Sequence, residues 1–367
     1  MKIAYRNGTI FTGQEMLTGK ALLTIDQHIE GLVAASEIPS DYTIYDLQGA
    51  LLAPGLLDLQ IYGGGGYLFS ADPSAAALQA MTNALISSGT TGFLLTIATN
   101  SPEIFRKAVK VVQENPHPAV MGIHFEGPYI SPLKRGAHVP EYIRQPDYDE
   151  IKAVLEEARG VIKMVTLAPE ITNKSIIELY RSYGVVLSAG HSNATFTEAM
   201  NGFDAGIEAA THLFNAMSPF HHRDTGLPGA IMEHQQVYSS IIPDGVHVDF
   251  HALTIAKKVM GERLFLITDA VEACTTGPYQ HVKGATNFTL PDGTLSGSSI
   301  SLLEGVRNCV RVGISVTEAL RMASVYPARL MKETHRGQFT PGARADMLLL
   351  NPNTLELIQT INVSETL

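Results

Sequence analysis

Residues 120–130 read VMGIHFEGPYI, an apolar-rich run that stops at an acid, a glycine and a proline. Glu126 stands where a strand must end. A carboxylate at the carboxyl end of a buried strand has to be paired, hydrogen-bonded or metal-bound, because an unpaired buried charge costs several kcal/mol. Working outward, seven further stretches share this form: GLLDLQIYG (55–63), GFLLTIAT (92–99), IKMVTLAPE (162–170), GVVLSAGH (184–191), AATHLFN (209–215), SSIIPDGVH (239–247) and RLFLITDA (263–270). Amphipathic helical stretches such as PEIFRKAVKVVQEN (102–115) and DYDEIKAVLEEARG (147–160) separate most of them. Near-continuous apolar strands alternating with helices predict an α/β fold, a parallel (β/α)8 TIM-like barrel. An open doubly wound sheet is the alternative, but IYGGGGYLF lacks the glycine spacing and helix start of a dinucleotide turn.

The flanks read differently. Residues 1–53 give short alternating segments such as KIAYRNGTIFTG and GKALLTID, an antiparallel β pattern, and the tail from Gly337, GQFTPGARADMLLLNPNTLELIQTINV, repeats that style. The expected organisation is a small β-sandwich domain built from both ends, 1–53 and 337–367, around a catalytic barrel over 54–336. The 367 residues exceed the roughly 250–300 at which one core stops growing, which fits a large domain plus a small one.

Composition narrows the function class. Hydrophobic residues make up 45% and charged residues 17%, with no run long enough for a membrane span, so neither disorder nor membrane insertion is expected. Cys274 and Cys309 are too few for a disulfide framework, and MKIAYRNGTIFTG reads as a strand rather than a signal peptide. Both features predict a cytoplasmic protein. A net charge of -10 predicts no nucleic-acid or anionic-membrane partner, so an anionic ligand needs a local basic cluster.

In a barrel of this kind the carboxyl ends of the strands form the active-site face. Glu126 closes the third strand, His191 the fifth, His212 lies in the sixth and Asp269 ends the eighth. Two imidazoles and a carboxylate on one rim form a Zn²⁺ ligand set with an open position, with Asp269 beside it. Each alone is weak evidence: strand-end histidines are commonly structural, Glu126 could cap a loop or pair with Arg135, and Asp269 could cap a helix. Their joint occurrence carries the reading. His124, two residues before Glu126 on the same strand face, is expected in a deeper layer. His28, His117, His234, His251, His281 and His335 are expected in solvent, and His221 and His222 have no assignment.

HFEGPYI, AGHSNAT, THLFNAMSPF, GLPGAI, DGVHV, ITDA, GTLSGS and YPARLM, with ADMLLL near the end, resemble in order and spacing the N-acetylglucosamine-6-phosphate deacetylases of the amidohydrolase superfamily. The resemblance implies Glu126, His191 and His212 as metal ligands and Asp269 as general base and acid. It implies Ala137 and His138 (KRGAH), Asn215, Ala216, Arg223, His247, Leu295, Ser296 and Gly297 as substrate contacts, with His138 also serving the oxyanion. Arg223 and His247 suit a phosphate on chemical grounds.

The implied reaction is hydrolysis of the acetamide of N-acetyl-D-glucosamine 6-phosphate to D-glucosamine 6-phosphate and acetate, by a homodimer. The galacto sugar is the nearest alternative, and an inactive barrel acting as a binding protein is the alternative of a different class. One departure matters. Where many superfamily members carry His-x-His at the end of strand one, this chain has Gln60 and Tyr62, neither a usual divalent-metal ligand. One divalent metal per subunit is therefore expected, zinc ahead of iron, cobalt or manganese. The role of Tyr62 stays open, as does whether residues 271–281 close over the substrate as a lid.

Overall fold

The computed structural model describes residues 1–284 and 287–361. Eight strands form one parallel sheet in sequential order: β1 (Leu56–Ile61), β2 (Thr90–Ala98), β3 (Val120–Glu126), β4 (Ile162–Leu167), β5 (Val186–Ala189), β6 (Ala209–Ala210), β7 (Tyr238–Ile241) and β8 (Leu264–Leu266). The sheet curls until β1 meets the chain just past β8. That junction is a single parallel bridge, Ile61 to Ala270, backed by Asp269 N donating to Gln60 O at 3.0 Å and Tyr62 N donating to Ala270 O at 2.9 Å. A nearly closed barrel results, as the strand pattern predicted.

The helices follow the strands as α1 (Ala75–Ser87), α2 (Pro102–Glu114), α3 (Tyr148–Ala158), α4 (Lys174–Ser182), α5 (Phe196–Ala205), α6 (Gly226–Glu233), α7 (Phe250–Met260) and α8 (Leu302–Arg311). Their starts are written in the sequence. Asp147, Asn173 and Ser301 each accept a backbone N–H three residues on, and Thr195 with Glu198 completes a capping box. Apolar positions then recur at helical spacing, as with Phe105, Ala108, Val109 and Val112 of α2, which bury against the barrel. β2 is buried at all nine positions, as a strand covered on both faces must be.

β6 and β8 are much shorter than AATHLFN and RLFLITDA suggested. The reason is backbone conformation at the strand exits: His191, His212, Phe214, Ala216 and Asp269 have φ of 47°, 36°, 79°, 50° and 54°, a left-handed region closed to extended strands and sparsely used by non-glycine residues.

The two ends of the chain meet in small sheets. A four-stranded sheet runs His28–Ala34, Lys20–Ile25, Lys2–Arg6, Thr43–Asp46; a five-stranded sheet runs Leu357–Ile361, Met347–Leu350, Leu51–Pro54, Thr9–Phe11, Met16–Leu17. Tyr5, Leu22 and Ile29 of the first pack with Ile10, Leu52, Met347 and Leu349 of the second in one apolar cluster. The pairing is not purely antiparallel as expected. Lys2–Arg6 with Thr43–Asp46, and Thr9–Phe11 with Leu51–Pro54, are parallel, because each pair is separated by an excursion long enough to return the chain in the same direction. Residues 362–367 of the expected C-terminal segment lie outside the described residues. Among the described residues no helix is long and apolar enough to cross a membrane.

Candidate metal centre and active site

β3, β5 and β6 deliver Glu126, His191 and His212 to one point. His212 Nε2 lies 3.1 Å from Glu126 Oε1 and 3.1 Å from His191 Nε2, and His191 Nε2 lies 3.3 Å from Glu126 Oε1. All three residues are buried. Four ligands at zinc-like bond lengths of about 2.0–2.1 Å stand about 3.3 Å apart at the corners of a tetrahedron, so this triangle fits one face of such a site. The donor chemistry fits too. His191 Nδ1–H donates to Lys134 O at 2.9 Å, which in the neutral ring leaves the Nε2 lone pair facing the cluster. Burial works to raise the Glu126 carboxyl, but His191 and His138 outweigh it and hold the group well below its ordinary value.

The cluster opens into a cleft of about 270 Å³ lined by every residue named above as a ligand, catalytic group or substrate contact except Arg223. Asp269 lines it, half-buried, with Oδ1 accepting from Gln60 Nε2 at 2.7 Å. Burial raises the Asp269 carboxyl well above its ordinary value; His212 opposes this, while Glu126, Asp58 and Asp244 reinforce it. His247 is oriented by Asp244, whose Oδ2 accepts from Nδ1 at 2.6 Å. Burial raises Asp244, but its bond and charge contact with His247 and the amides of Val246 and His247 bring it below its ordinary value. A three-stranded antiparallel flap, Val282–Lys283, Asn287–Thr289 and Leu295–Ser298, brings Leu295, Ser296 and Gly297 over the cleft. Arg223 is exposed, in a loop with His221 and His222.

An amidohydrolase-family sequence profile matches residues 51–366. The chain belongs to the amidohydrolase family. A NagA composite-domain profile matches residues 4–52. The N-acetylglucosamine-6-phosphate deacetylase of Haemophilus influenzae is 36% identical over 369 residues, covering 96% of each chain. The crystal structure of N-acetylglucosamine-6-phosphate deacetylase from Pasteurella multocida superposes with a TM-score of 0.95 at 34% identity, covering 100% of this chain and 99% of that one. A variant of the Mycobacterium smegmatis N-acetyl-D-glucosamine-6-phosphate deacetylase, solved with N-acetyl-D-glucosamine-6-phosphate, gives a TM-score of 0.90 at 30% identity, covering 99% and 98%.

In this amidohydrolase several side chains stand differently from the sequence expectations. His138 Nδ1 accepts the Thr99 N–H at 3.3 Å, so its Nε2–H donates to Glu126 Oε2 at 2.9 Å. Arg135, the alternative partner for Glu126, instead bonds the carbonyls of Gly136 and His138. His281 is not in solvent: it is buried, lines the cleft and pairs Nδ1 with Ser296 Oγ at 2.9 Å because the flap folds back over it. Burial pushes its imidazole down to about 4. His117 and His234 are half-buried, the latter against Phe203, while His28, His251 and His335 are exposed as expected. His124 does lie in the deeper layer, held by Leu59 O and Thr166 Oγ1 at 3.0 and 2.8 Å, and burial pushes it to about 4. Val271, Tyr279 and His281 from the 271–281 segment line the cleft, with Tyr279 donating to Thr99 O at 2.5 Å.

One buried residue was missed altogether. Asp58 accepts from Thr268 Oγ1 at 2.6 Å, from Gln60 N at 3.2 Å and from Thr268 N at 3.3 Å, tying β1 to the end of β8. Burial raises it to about 6 against those three bonds. Its signal was present: 58, 60 and 62 share one strand face by the two-residue period, so a polar interior stripe was readable in DLQIY.

Proposed function

We propose that this amidohydrolase hydrolyses the acetamide of N-acetyl-D-glucosamine 6-phosphate to D-glucosamine 6-phosphate and acetate, using one divalent metal ion per subunit, zinc by preference, held by Glu126, His191 and His212. The observation that carries the reading is the convergence of those three ligands with Asp269 on one small-molecule cleft. When bound, the ion polarises the amide carbonyl and lowers the pKa of the attacking water.

The side chains do the rest. Asp269 takes the water proton and passes it to the departing nitrogen, which is too basic to leave unprotonated. Surroundings that favour its protonated form suit a group that must hold a proton between two steps. His138 directs its Nε2–H into the site, where it serves the developing oxyanion once Glu126 is engaged by the cation. His247, oriented by Asp244, and Arg223 take the phosphate, whose binding positions the distant amide. Asn215, Ala216, Ala137 and the Leu295–Gly297 stretch of the flap strand enclose the sugar.

Arg223 lies outside the lining of its own cleft, and Phe220, three residues earlier, is 55% exposed. An exposed aromatic beside an unplaced arginine suits a homodimer in which this loop serves the neighbouring subunit's cleft. The scarcity of cysteine supports a cytoplasmic setting. The direct test of substrate is turnover of the gluco and galacto 6-phosphates side by side. Faster acetate release from the gluco sugar is expected; faster release from the galacto sugar would reassign the substrate.

A further inference from the structure

IYGGGGYLF, residues 61–69, folds into a tight hairpin just past β1, with Gly63–Gly64 against Tyr67–Leu68. A Cβ on Gly63 would stand 2.8 Å from Glu272 N and 2.8 Å from Tyr67 O. Glycine therefore lets the hairpin press against the segment that follows β8. Gly66 N donates to Glu272 Oε2 at 3.1 Å and Phe69 N to Tyr62 O at 3.0 Å, which fixes Leu68 against the cleft. Leu68, Tyr62, Ala98, Val271 and Tyr279 all line that cleft and belong to one apolar cluster backed by Phe288. None of the five has a part in the chemistry above.

Their position gives them one. Ala98 pairs in register with Glu126, the Tyr62 hydroxyl donates to Glu126 Oε2, and His138 Nε2 reaches the same oxygen at 2.9 Å. The apolar wall thus begins beside the groups that serve the carbonyl oxygen. Asn215, Ala216 and His247, assigned to the sugar and its phosphate, follow β6 and β7 on another sector of the rim. An N-acyl amino sugar is divided in the same way, with hydroxyls and a phosphate on one side of the amide and a hydrocarbon chain on the other. Acyl carbon gains by leaving water against the wall, whereas a hydroxyl there loses its hydrogen bonds. The wall is also stiff: its five residues are each at most 8% exposed, and Tyr279 is tied to Thr99 O at 2.5 Å.

We propose that this wall is the acyl subsite and that Leu68 sets the length of acyl chain the cleft takes, holding it to short N-acyl groups. The inference rests on the deacetylase reading and deepens it. Leu68 is the adjustable member, because Tyr62 and Tyr279 are held by hydrogen bonds, Ala98 has nothing to withdraw and Val271 stands two residues from Asp269.

The test is kcat/KM, read as amine release, for the N-formyl, N-acetyl and N-butyryl derivatives of glucosamine 6-phosphate and of galactosamine 6-phosphate, on the wild type, Leu68→Ala and Leu68→Phe. The wild type is expected to prefer acetyl over butyryl by about 10-fold or more. Leu68→Ala should raise the butyryl-to-acetyl ratio by about 10-fold, and Leu68→Phe should raise the formyl-to-acetyl ratio by a similar factor. Each ratio is taken within one protein, so a loss of folded enzyme cancels. A wild type that uses butyryl as well as acetyl, or ratios unmoved in both variants, overturns the proposal. Should Leu68→Ala fail to fold, Leu68→Val is expected to shift the ratio in the same direction, and an unmoved ratio there counts against the subsite equally. Turnover of the galacto series alone would reassign the sugar while its acyl ratios still decide the subsite. No amine release from either series refutes the proposed function, and the subsite falls with it.

Discussion

Glu126 and Asp269 are carboxylates of one site whose surroundings push them in opposite directions. Glu126 is held ionised by His191 and His138, while burial and neighbouring acids favour the protonated form of Asp269. The divergence is what the proposed roles need: a ligand must stay charged and a proton carrier must change hands. Two histidines behave in a different way. His124 and His281 are pushed by burial to about 4, whereas the unfolded chain takes up protons near 6.5. Between those values the unfolded state binds more protons, so stability rises with pH; the contribution is full above about 6.5 and is lost as pH falls toward 4. Each ring is worth on the order of 2–3 kcal/mol at the acid end, while Asp58, raised to about 6, and Asp269, raised by burial, act with the opposite sign over the same range. The share of His281 is therefore read as a difference: metal-free H281Q should lose less stability than the metal-free wild type between pH 7 and pH 4.5, and an equal change would place His281 in solvent contact after all.

At the scale of elements, the apolar strand runs and helix caps were legible because they depend on local periodicity. The Thr195 and Glu198 capping box and the nine buried positions of β2 needed no tertiary knowledge. Strand ends were not legible: His191, His212 and Asp269 sit in left-handed turns that the packing of the rim imposes on residues without a glycine's freedom. The four residues that define the candidate site were readable from those same strand ends. His281 was missed because its burial comes from a flap folding back, and the placement of Arg223 outside the cleft lining was missed because a motif gives identity without position. The flap itself is pinned by Tyr279 donating to Thr99 O at the end of β2 and by His281 against Ser296. Y279F should loosen this wall and raise KM by about 3- to 10-fold, the worth of one such bond, with kcat little changed. A fall in kcat at constant KM would place Tyr279 in the chemistry instead.

Across the whole molecule, the barrel supplies the rim, the small sheets unite both ends of the chain, and the exposed loop of Arg223 is the part on which the proposed homodimer is tested. Subunit mixing reads this out. Asp269→Asn and Arg223→Ala should each be nearly inactive on the phosphorylated sugar, but if Arg223 serves the neighbouring cleft, random reassortment of equal amounts yields dimers with one intact site, about one quarter of all sites. Regained activity near that fraction is expected, and none would return Arg223 to its own subunit.

The central claim is a metal-dependent deacetylation carried out by Glu126, His191, His212 and Asp269. Acetate release from N-acetyl-D-glucosamine 6-phosphate, measured on chelator-stripped protein titrated with Zn²⁺, tests it most directly. The account predicts no release at zero metal, a linear rise to a plateau at one equivalent per subunit, and turnover of about 1–10³ per second at that plateau. Undiminished release from the stripped protein, or none at any metal loading, would contradict it.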